Sequence, residues 1–211
     1  AWMTSYGGQY KDDEGDHRPH VSIVCNFTKP TGTKPSLLTF NEVTTLFHEF
    51  GHALHGMLAD GTYESLSGTS VYWDFVELPS QFMENWVLEK EVLDLFAEHY
   101  ETGEKVPQAL IDKLQASAKF QAGYASLRQV NYASLDMKWH GTYLENIEDV
   151  MAFEREATKD TNLFPPEENT MLSTGFSHIF VGGYSAGYYS YKWAEVLDAD
   201  AYEYFKENDL F

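Results

Sequence analysis

The sequence predicts a mainly α-helical fold with one small β element. Apolar residues recur at helical spacing in several long segments after residue 39. Alternation of apolar and polar residues is confined to residues 21–27, VSIVCNF, which we predict to be a strand. With 211 residues, of which 43% are hydrophobic, the chain can bury a sizeable core. We therefore expect residues 1–211 to form a single domain.

The composition excludes several classes of function. A formal net charge of −19 leaves no basic patch to displace counterions, so we expect no nucleic-acid partner. No apolar run approaches the ~18 residues that span a bilayer, so we expect no membrane partner. The single cysteine, Cys25, gives neither an internal disulfide nor a thiolate cluster, which is compatible with a reducing compartment. We expect a cytoplasmic location, with the periplasm left open because the N-terminus is typical of an internal fragment.

The remaining elements follow in chain order. Residues 7–20 are polar and glycine-containing, which predicts an exposed loop, and a turn-rich connector at 29–35 leads into a helix. Apolar spacing then predicts helices at about 73–100, 107–140 and 144–158, with Pro79 in the first turn or at a kink of the first one. The uncharged, glycine-rich residues 173–187 predict a loop with a freely rotating backbone that leads into a last helix, which carries Tyr188 and Trp193.

The helix predicted at 39–57 has a clear beginning. Thr39 and Glu42 form a T-x-x-E capping box, and Gly61 is a plausible stop. Five apolar residues share one face of this helix: Phe40, Val43, Phe47, Phe50 and Leu54.

This helix carries the pattern H-E-x-x-H at residues 48–52. Residues four apart project from one face of a helix, so His48 and His52 can bind one Zn²⁺, and Glu49 can accept a proton from water. So short a motif also arises by chance, in which case the two histidines would be buried and hydrogen-bonded. The agreement of cap, apolar spacing and motif favours the metal site.

A catalytic zinc site needs a third protein ligand and one open position. The metzincin spacing fails, because the chain has His55 and Leu58 where glycine and histidine are required. A thermolysin-like glutamate, twenty residues after His52, would fall on Tyr72. Three downstream carboxylates remain open: Glu64, Glu77 and Glu84. His55 shares the face of the motif histidines, but a fourth protein ligand would close the catalytic position, so we interpret it as a packed residue.

Two longer segments carry a resemblance. FHEFGHALH, followed by SGTSVYWDFVELPSQFMENW, resembles the thimet oligopeptidase and bacterial peptidyl-dipeptidase family of zinc metallopeptidases. The similarity runs from VCNFTKPT to GGYSAGYYSYKWAEV, nearly the whole chain. It implies one zinc ion per chain, with these ligands: His48, His52 and Glu77. It implies Glu49 as the catalytic base and three further residues that contact the substrate: His178, Tyr184 and Tyr191.

The resemblance also has consequences for the whole chain. It implies a helical zincin-type catalytic domain that lacks the family's N-terminal helical half, and thus a fragment of a larger peptidase. It implies a monomer that hydrolyses short oligopeptides, with release of C-terminal dipeptides as one mode of cleavage. Another zinc hydrolase, such as an amidase, is the alternative among enzymes. Outside enzymes, the alternative is a non-catalytic helical module with structural zinc, which would not need Glu49.

Some roles stay open at this stage. The strand predicted at 21–27 either adds an extended peptide at its edge or is an ordinary sheet strand. Asp74 and Glu84 are acidic and could orient ligand imidazoles, yet a solvated helix face explains them equally, so we assign them no role. Arg18 and Arg128 are not placed well enough by the sequence to be assigned as a clamp for a substrate carboxylate.

Overall fold

The computed structural model describes residues 1–141, 147–208 and 210. The described chain is mainly helical with small two-stranded sheets, which confirms the predicted fold class. It forms two compact units, one of residues 1–118 with 194–211 and the other of residues 119–193. The expectation of one catalytic domain over 1–211 stays a prediction. None of the described helices is long and apolar enough to cross a membrane.

The first unit begins with four short strands: β1 Trp2–Gly7, β2 Tyr10–Asp12, β3 Gly15–His17 and β4 His20–Val24. β1 pairs antiparallel with β4, and β2 pairs antiparallel with β3. The predicted strand at 21–27 is therefore shorter, and the predicted loop at 7–20 is wrong in part because it contains a hairpin. Gly15, with φ +126, and the Asp12 carboxylate, which accepts from the Glu14 N–H at 2.8 Å, make that tight turn possible.

The helix at 39–57 is confirmed as α1 Phe40–Met57. Its capping box is present, since Thr39 Oγ1 accepts from the Glu42 N–H and the Glu42 carboxylate accepts from the Thr39 N–H. Hydrogen bonds from Thr39 and Thr28 lower the pKa of Glu42 to about 2. The helix ends before Gly61, because the Leu58 N–H already makes the last helical bond, to the Leu54 carbonyl.

The single helix predicted at 73–100 is wrong. The structure has α2 Trp73–Val76, α3 Leu78–Glu84, a 3₁₀ turn at Asn85–Leu88 and α4 Lys90–Phe96. Pro79 lies in the first turn of α3, where its missing N–H cannot continue the preceding helix. The extended backbone of Glu89 separates the 3₁₀ turn from α4. After α4, the chain forms α5 Gln108–Ala118. A second 3₁₀ turn, Glu64–Leu66, lies between α1 and α2.

The second unit contains α6 Ala122–His140, α7 Val150–Thr158 and α8 Ser177–Phe180. The helix predicted at 107–140 is divided into α5 and α6, because Gln121 adopts a left-handed conformation with φ 55. The predicted helix at 144–158 begins only at Val150 within the described chain, and the predicted start at Leu144 lies outside the described residues. The core of this unit is a cluster of buried residues: Leu135, Phe176 and Ile179.

The last helix, α9 Ser190–Asn208, begins in the second unit and continues in the first. It begins after Tyr188, so the tyrosine predicted to lie on the helix precedes it. In the first unit its aromatic residues pack on α3 and on the 3₁₀ turn that follows. The ring of Phe205 lies 5.3 Å from that of Phe82, and the ring of Tyr202 lies 5.5 Å from that of Trp86.

Candidate metal centre and active-site residues

A close approach of α1 and α3 positions the candidate metal ligands. Gly51, in the middle of α1, faces the backbone at the start of α3. A Cβ atom at Gly51 would lie 2.4 Å from the Pro79 carbonyl oxygen and 2.6 Å from the Ser80 Cα. Only glycine allows the two helices this contact, which brings Glu77, at the N-terminal end of α3, to the histidine face of α1.

Three ligand atoms meet at this contact. Glu77 Oε2 lies 3.3 Å from Nε2 of His48 and 3.3 Å from Nε2 of His52. The two imidazoles are nearly perpendicular, with ring centroids 5.0 Å apart. Each of the three residues offers one ligand atom, and all these atoms lie within 4.8 Å of one another.

The distance of 3.3 Å identifies the kind of contact. It is long for a charge-assisted hydrogen bond, which is usually about 2.7–2.9 Å. It matches the edge of a tetrahedron of ligands about 2.0–2.2 Å from a zinc ion, which is roughly 3.3–3.6 Å long. The nitrogen and oxygen donors are also those that zinc accepts. The three residues therefore fit a zinc ion.

The structure distinguishes among the three carboxylates that the spacing allows as the third ligand. Glu77 is 2% exposed and belongs to the ligand group. Glu64 accepts the N–H of Gly8 at 2.9 Å instead. Glu84 lies on the other side of the imidazole of His48, with its Oε1 2.6 Å from Nδ1.

Glu84 and Ser80 support two of the ligands. A carboxylate can only accept, so Nδ1 of His48 carries a hydrogen, and Nε2 is the nitrogen that faces Glu77 and would be available to a metal ion. The hydroxyl of Ser80 lies 2.8 Å from Glu77 Oε2 and orients that carboxylate. Burial lowers the pKa of His48, but hydrogen bonds to Glu77 and Glu84 outweigh it and raise the pKa to about 10. The site therefore attracts positive charge.

The other two histidines of α1 are held differently. His52 Nδ1 is buried and has no hydrogen-bond partner among the described residues. His55 is outside the ligand group, and its ring lies edge-on to Phe75 with centroids 6.1 Å apart. Burial and the neighbouring His52 lower the pKa of His55. These contacts favour the interpretation of His55 as a packed residue.

Glu49, the candidate base, is buried beside the ligands. It follows His48 in α1 and is 6% exposed. Burial raises the pKa of the Cys25 thiol, and the Glu49 carboxylate adds to that rise. A carboxylate shielded from bulk solvent next to a metal ligand can exchange protons with a water at the metal site.

The second unit brings the other predicted residues together. His178 lies in α8, Tyr191 in α9, and Tyr184 in the loop between them. The rings of Tyr184 and Tyr191 are stacked with centroids 5.2 Å apart, and the ring of His178 lies 6.1 Å from that of Tyr184. Tyr188 completes this aromatic cluster, 5.0 Å from Tyr191. The cluster combines three phenols and an imidazole, all of which can donate hydrogen bonds.

Sequence reasoning missed two residues that build the site. For Gly51 a signal exists, because an isolated glycine inside an amphipathic helix weakens it and usually has a packing reason. For Ser80 there is none, since a serine near the start of a helix is common. The sequence does not assign a role to Glu84, because its distance from His48 depends on the broken path of the chain between them.

Comparison with known proteins gives consistent matches. The sequence profile of Peptidase family M3 matches residues 1–211. Organellar oligopeptidase A, chloroplastic/mitochondrial, from Arabidopsis thaliana is 49% identical over 197 residues, which are 91% of this chain and 24% of that protein. Oligopeptidase A from Escherichia coli is 44% identical over 214 residues, 100% of this chain and 32% of that protein. Dipeptidyl carboxypeptidase from Escherichia coli is 40% identical over 211 residues, 98% of this chain and 30% of that protein. The chain thus spans about a quarter to a third of the length of these curated relatives.

Proposed function

The chain belongs to Peptidase family M3, and we propose that it carries the catalytic zinc centre of a metallopeptidase that hydrolyses short oligopeptides. The observation that carries the proposal is the arrangement of His48, His52 and Glu77, because the two distances of 3.3 Å from the Glu77 carboxylate to the imidazole nitrogens match the edges of a tetrahedral zinc site. The names oligopeptidase A and dipeptidyl carboxypeptidase, borne by relatives 44% and 40% identical, support the substrate class.

The proposed mechanism gives each residue one task. Zinc held by the three ligands would supply a Lewis acid that polarises the scissile carbonyl. Glu49 accepts a proton from the attacking water and delivers it to the leaving amine. Hydrogen bonds from His178, Tyr184 and Tyr191 stabilise the developing oxyanion, each where charge appears only in the transition state.

β4 is a candidate for binding the peptide backbone. Within the described chain it pairs with β1 on one side only, so the groups on its other edge are not used by a strand. An extended peptide can add to such an edge through main-chain hydrogen bonds. Contacts of that kind hold substrates of many sequences, which suits an oligopeptidase.

The alternative of a structural zinc site has less support. Structural sites are usually closed by four protein ligands, whereas the described residues offer three here. A buried glutamate next to the ligands, Glu49, would have no task in a structural site. Both observations favour catalysis.

We also propose that the protein acts as a monomer and that it acts in the cytoplasm. The second proposal is in line with the relative named Probable cytosolic oligopeptidase A.

The decisive experiment separates metal binding from proton transfer in the intact protein. Glu49→Gln keeps the size of the side chain but removes its basicity, so we expect a full complement of about one zinc per chain. Hydrolysis of a quenched peptide should fall by about 10²–10⁴-fold. Glu64→Gln, a change of the same kind outside the ligand group, should keep both zinc and turnover. A parent-like rate in Glu49→Gln would remove Glu49 as the base, and a chelator-treated parent with unchanged activity would exclude the zinc mechanism.

The mode of cleavage is read from the products. A peptidyl-dipeptidase releases dipeptides in succession from the C-terminus of a decapeptide, whereas an endopeptidase cuts it at internal bonds. Mass spectrometry of the products at early times distinguishes the two series. Blocking the C-terminal carboxylate as an amide should slow only the first mode.

A further inference from the structure

Asp136, on α6, is a buried carboxylate that the proposed mechanism leaves without a task. It is 0% exposed, and both of its oxygens are used. Oδ1 accepts from the Ala186 N–H at 2.9 Å and from His140 Nδ1 at 2.8 Å. Oδ2 accepts from the Tyr188 N–H at 2.9 Å. A buried carboxyl group needs such donors to compensate its lost hydration, and the two backbone bonds, from Ala186 and Tyr188, hold the loop between α8 and α9 against α6.

The loop adopts a conformation that requires such support. Ala186 has φ 54, in the left-handed region that non-glycine residues rarely occupy, and Gly183 has φ 88. Backbone conformations of this kind persist when surrounding contacts over-determine them. The Ser185 hydroxyl adds one such contact, to the Ile179 carbonyl at 2.6 Å. The segment that the sequence predicts to rotate freely is therefore clamped, and Asp136 supplies the clamp from outside the loop.

The clamp lies between the tyrosines of the aromatic cluster. Its two backbone bonds hold residues 186 and 188, and the loop that they fix joins Tyr184 to Tyr191, whose rings are stacked 5.2 Å apart. We propose that Asp136 is a positioning residue, which holds this loop so that Tyr184 and Tyr191 present their hydroxyls to the reacting peptide. The inference rests on the proposed function of these tyrosines. A displacement of about 1 Å in such a donor can cost about 10²-fold in rate, so the clamp has a measurable effect.

Asp136→Asn tests the clamp with little change in side-chain volume. An amide has one accepting oxygen and one NH₂ group, while three donors converge on the carboxylate. Whichever way the amide is oriented, its NH₂ faces an N–H of the loop or of His140. At least one bond is lost and a repulsive pair of donors replaces it.

A matched control exists in the same unit. Glu154, on α7, clamps a different loop in the same manner, because its carboxylate accepts the N–H groups of Leu172 and Ser173 at 2.8 and 2.7 Å. Glu154→Gln should lower thermal stability but leave kcat near that of the parent. Asp136→Asn should lower kcat by about 10²-fold with KM changed less than about threefold. Amide hydrogen exchange at the two clamped positions should become at least about tenfold faster.

A mutant cycle decides whether Asp136 acts through the tyrosines. Each of Tyr184→Phe and Tyr191→Phe should lower kcat by about 10²-fold, and adding Asp136→Asn to the double Phe variant should cost less than about threefold more. If the losses in kcat multiply fully, or if Asp136→Asn keeps a parent-like kcat while the Phe variants are impaired, the role of Asp136 is overturned and the role of the tyrosines is not. If both Phe variants keep a parent-like kcat, the proposed role of the tyrosines is removed, and the faster amide exchange of the Asp136 variant can still be measured.

If Asp136→Asn does not fold, His140→Ala is the alternative test, because it removes one of the three donors. It should lower kcat and accelerate amide exchange by about three- to tenfold. No change in either quantity overturns the clamp.

Discussion

At the residue scale, the two motif histidines are held unequally. His48 Nδ1 is bonded to Glu84 at 2.6 Å, whereas His52 Nδ1 has no partner among the described residues. An acceptor behind a ligand imidazole fixes its tautomer and orientation and increases its basicity. We therefore expect the charge of Glu84 to strengthen metal binding at this candidate site, even though Glu84 is not in the ligand group.

Glu84→Gln tests that contribution. The amide oxygen can still accept from Nδ1, but the negative charge is gone, so we expect the zinc affinity to fall by about 10–100-fold. Competition with a chromogenic chelator measures the change. Asp74→Asn is the matched control, since within the described chain Asp74 makes no hydrogen bond to either motif histidine, and its affinity should stay within about twofold of the parent. Equal affinities in the two variants would contradict a role for Glu84.

The candidate ligands differ in how far the sequence predicts them. His48 and His52 lie in one helix, where the helical period alone brings them to one face, so the motif predicts the pair. Glu77 is separated from His52 by a turn, a 3₁₀ element and a short helix, and no periodicity relates the two. The spacing therefore left three carboxylates open, and only the resemblance favoured Glu77.

At the element scale, the contact of α1 with α3 depends on Gly51. A methyl group there would meet backbone atoms of Pro79 and Ser80 at 2.4 and 2.6 Å, and backbone cannot rotate out of the way as a side chain can. The two helices would have to separate. Because Glu77 begins α3 and the histidines lie on α1, their separation would also widen the ligand group.

Gly51→Ala should therefore destabilise the protein. Overpacking typically costs about 1–3 kcal/mol, and the better helix propensity of alanine returns at most about 1 kcal/mol, so a net loss and a lower zinc affinity are expected. Gly123→Ala is the control, because a Cβ at that position of α6 meets nothing within 4 Å. It should be neutral or stabilising by up to about 1 kcal/mol. Urea denaturation and zinc titration of both variants check the prediction, and a Gly51 variant as stable as the Gly123 variant would refute it.

The broken helices show where sequence patterns stop being informative about elements. Apolar spacing continues through residues 73–100 because each of the successive pieces buries a face, and burial is what the pattern reports. It does not report continuity. The breaks depend on single backbone conformations. Glu89 is extended, which any residue can be, and Gln121 is left-handed, which non-glycine residues rarely are, so neither residue type marks a break in advance.

At the scale of the whole molecule, the candidate residues divide between two compact units. The candidate metal ligands and Glu49 belong to the first unit, and the aromatic cluster of His178, Tyr184 and Tyr191 belongs to the second. The sequence did not predict this division. One of its two boundaries falls inside α9, between residues 193 and 194, where an uninterrupted helix gives no change of composition to mark it.

The charge of the whole chain leads to the last prediction. The chain has a net charge of −19, and its negatively charged side chains repel one another more strongly in the compact state than in the unfolded chain. This repulsion lowers the free energy of unfolding. Salt shortens the Debye length from about 30 Å at 0.01 M to about 8 Å at 0.15 M, so it should relieve the repulsion. Exposed ion pairs such as Lys11–Asp60 also weaken in salt, but such pairs are worth at most about 1 kcal/mol each.

We expect the Tm of the zinc-loaded protein to rise by roughly 2–8 °C between about 0.01 M and about 0.3 M NaCl, as a gain of about 1–2 kcal/mol implies for this chain length. Tetramethylammonium chloride at equal ionic strength is the control, since it screens charge without a specific site for sodium. Because screening depends on ionic strength alone, the two salts should raise Tm equally. A Tm that stays constant or falls with NaCl would show that the ion pairs outweigh the net repulsion, and a rise with sodium alone would point to ion binding instead of screening.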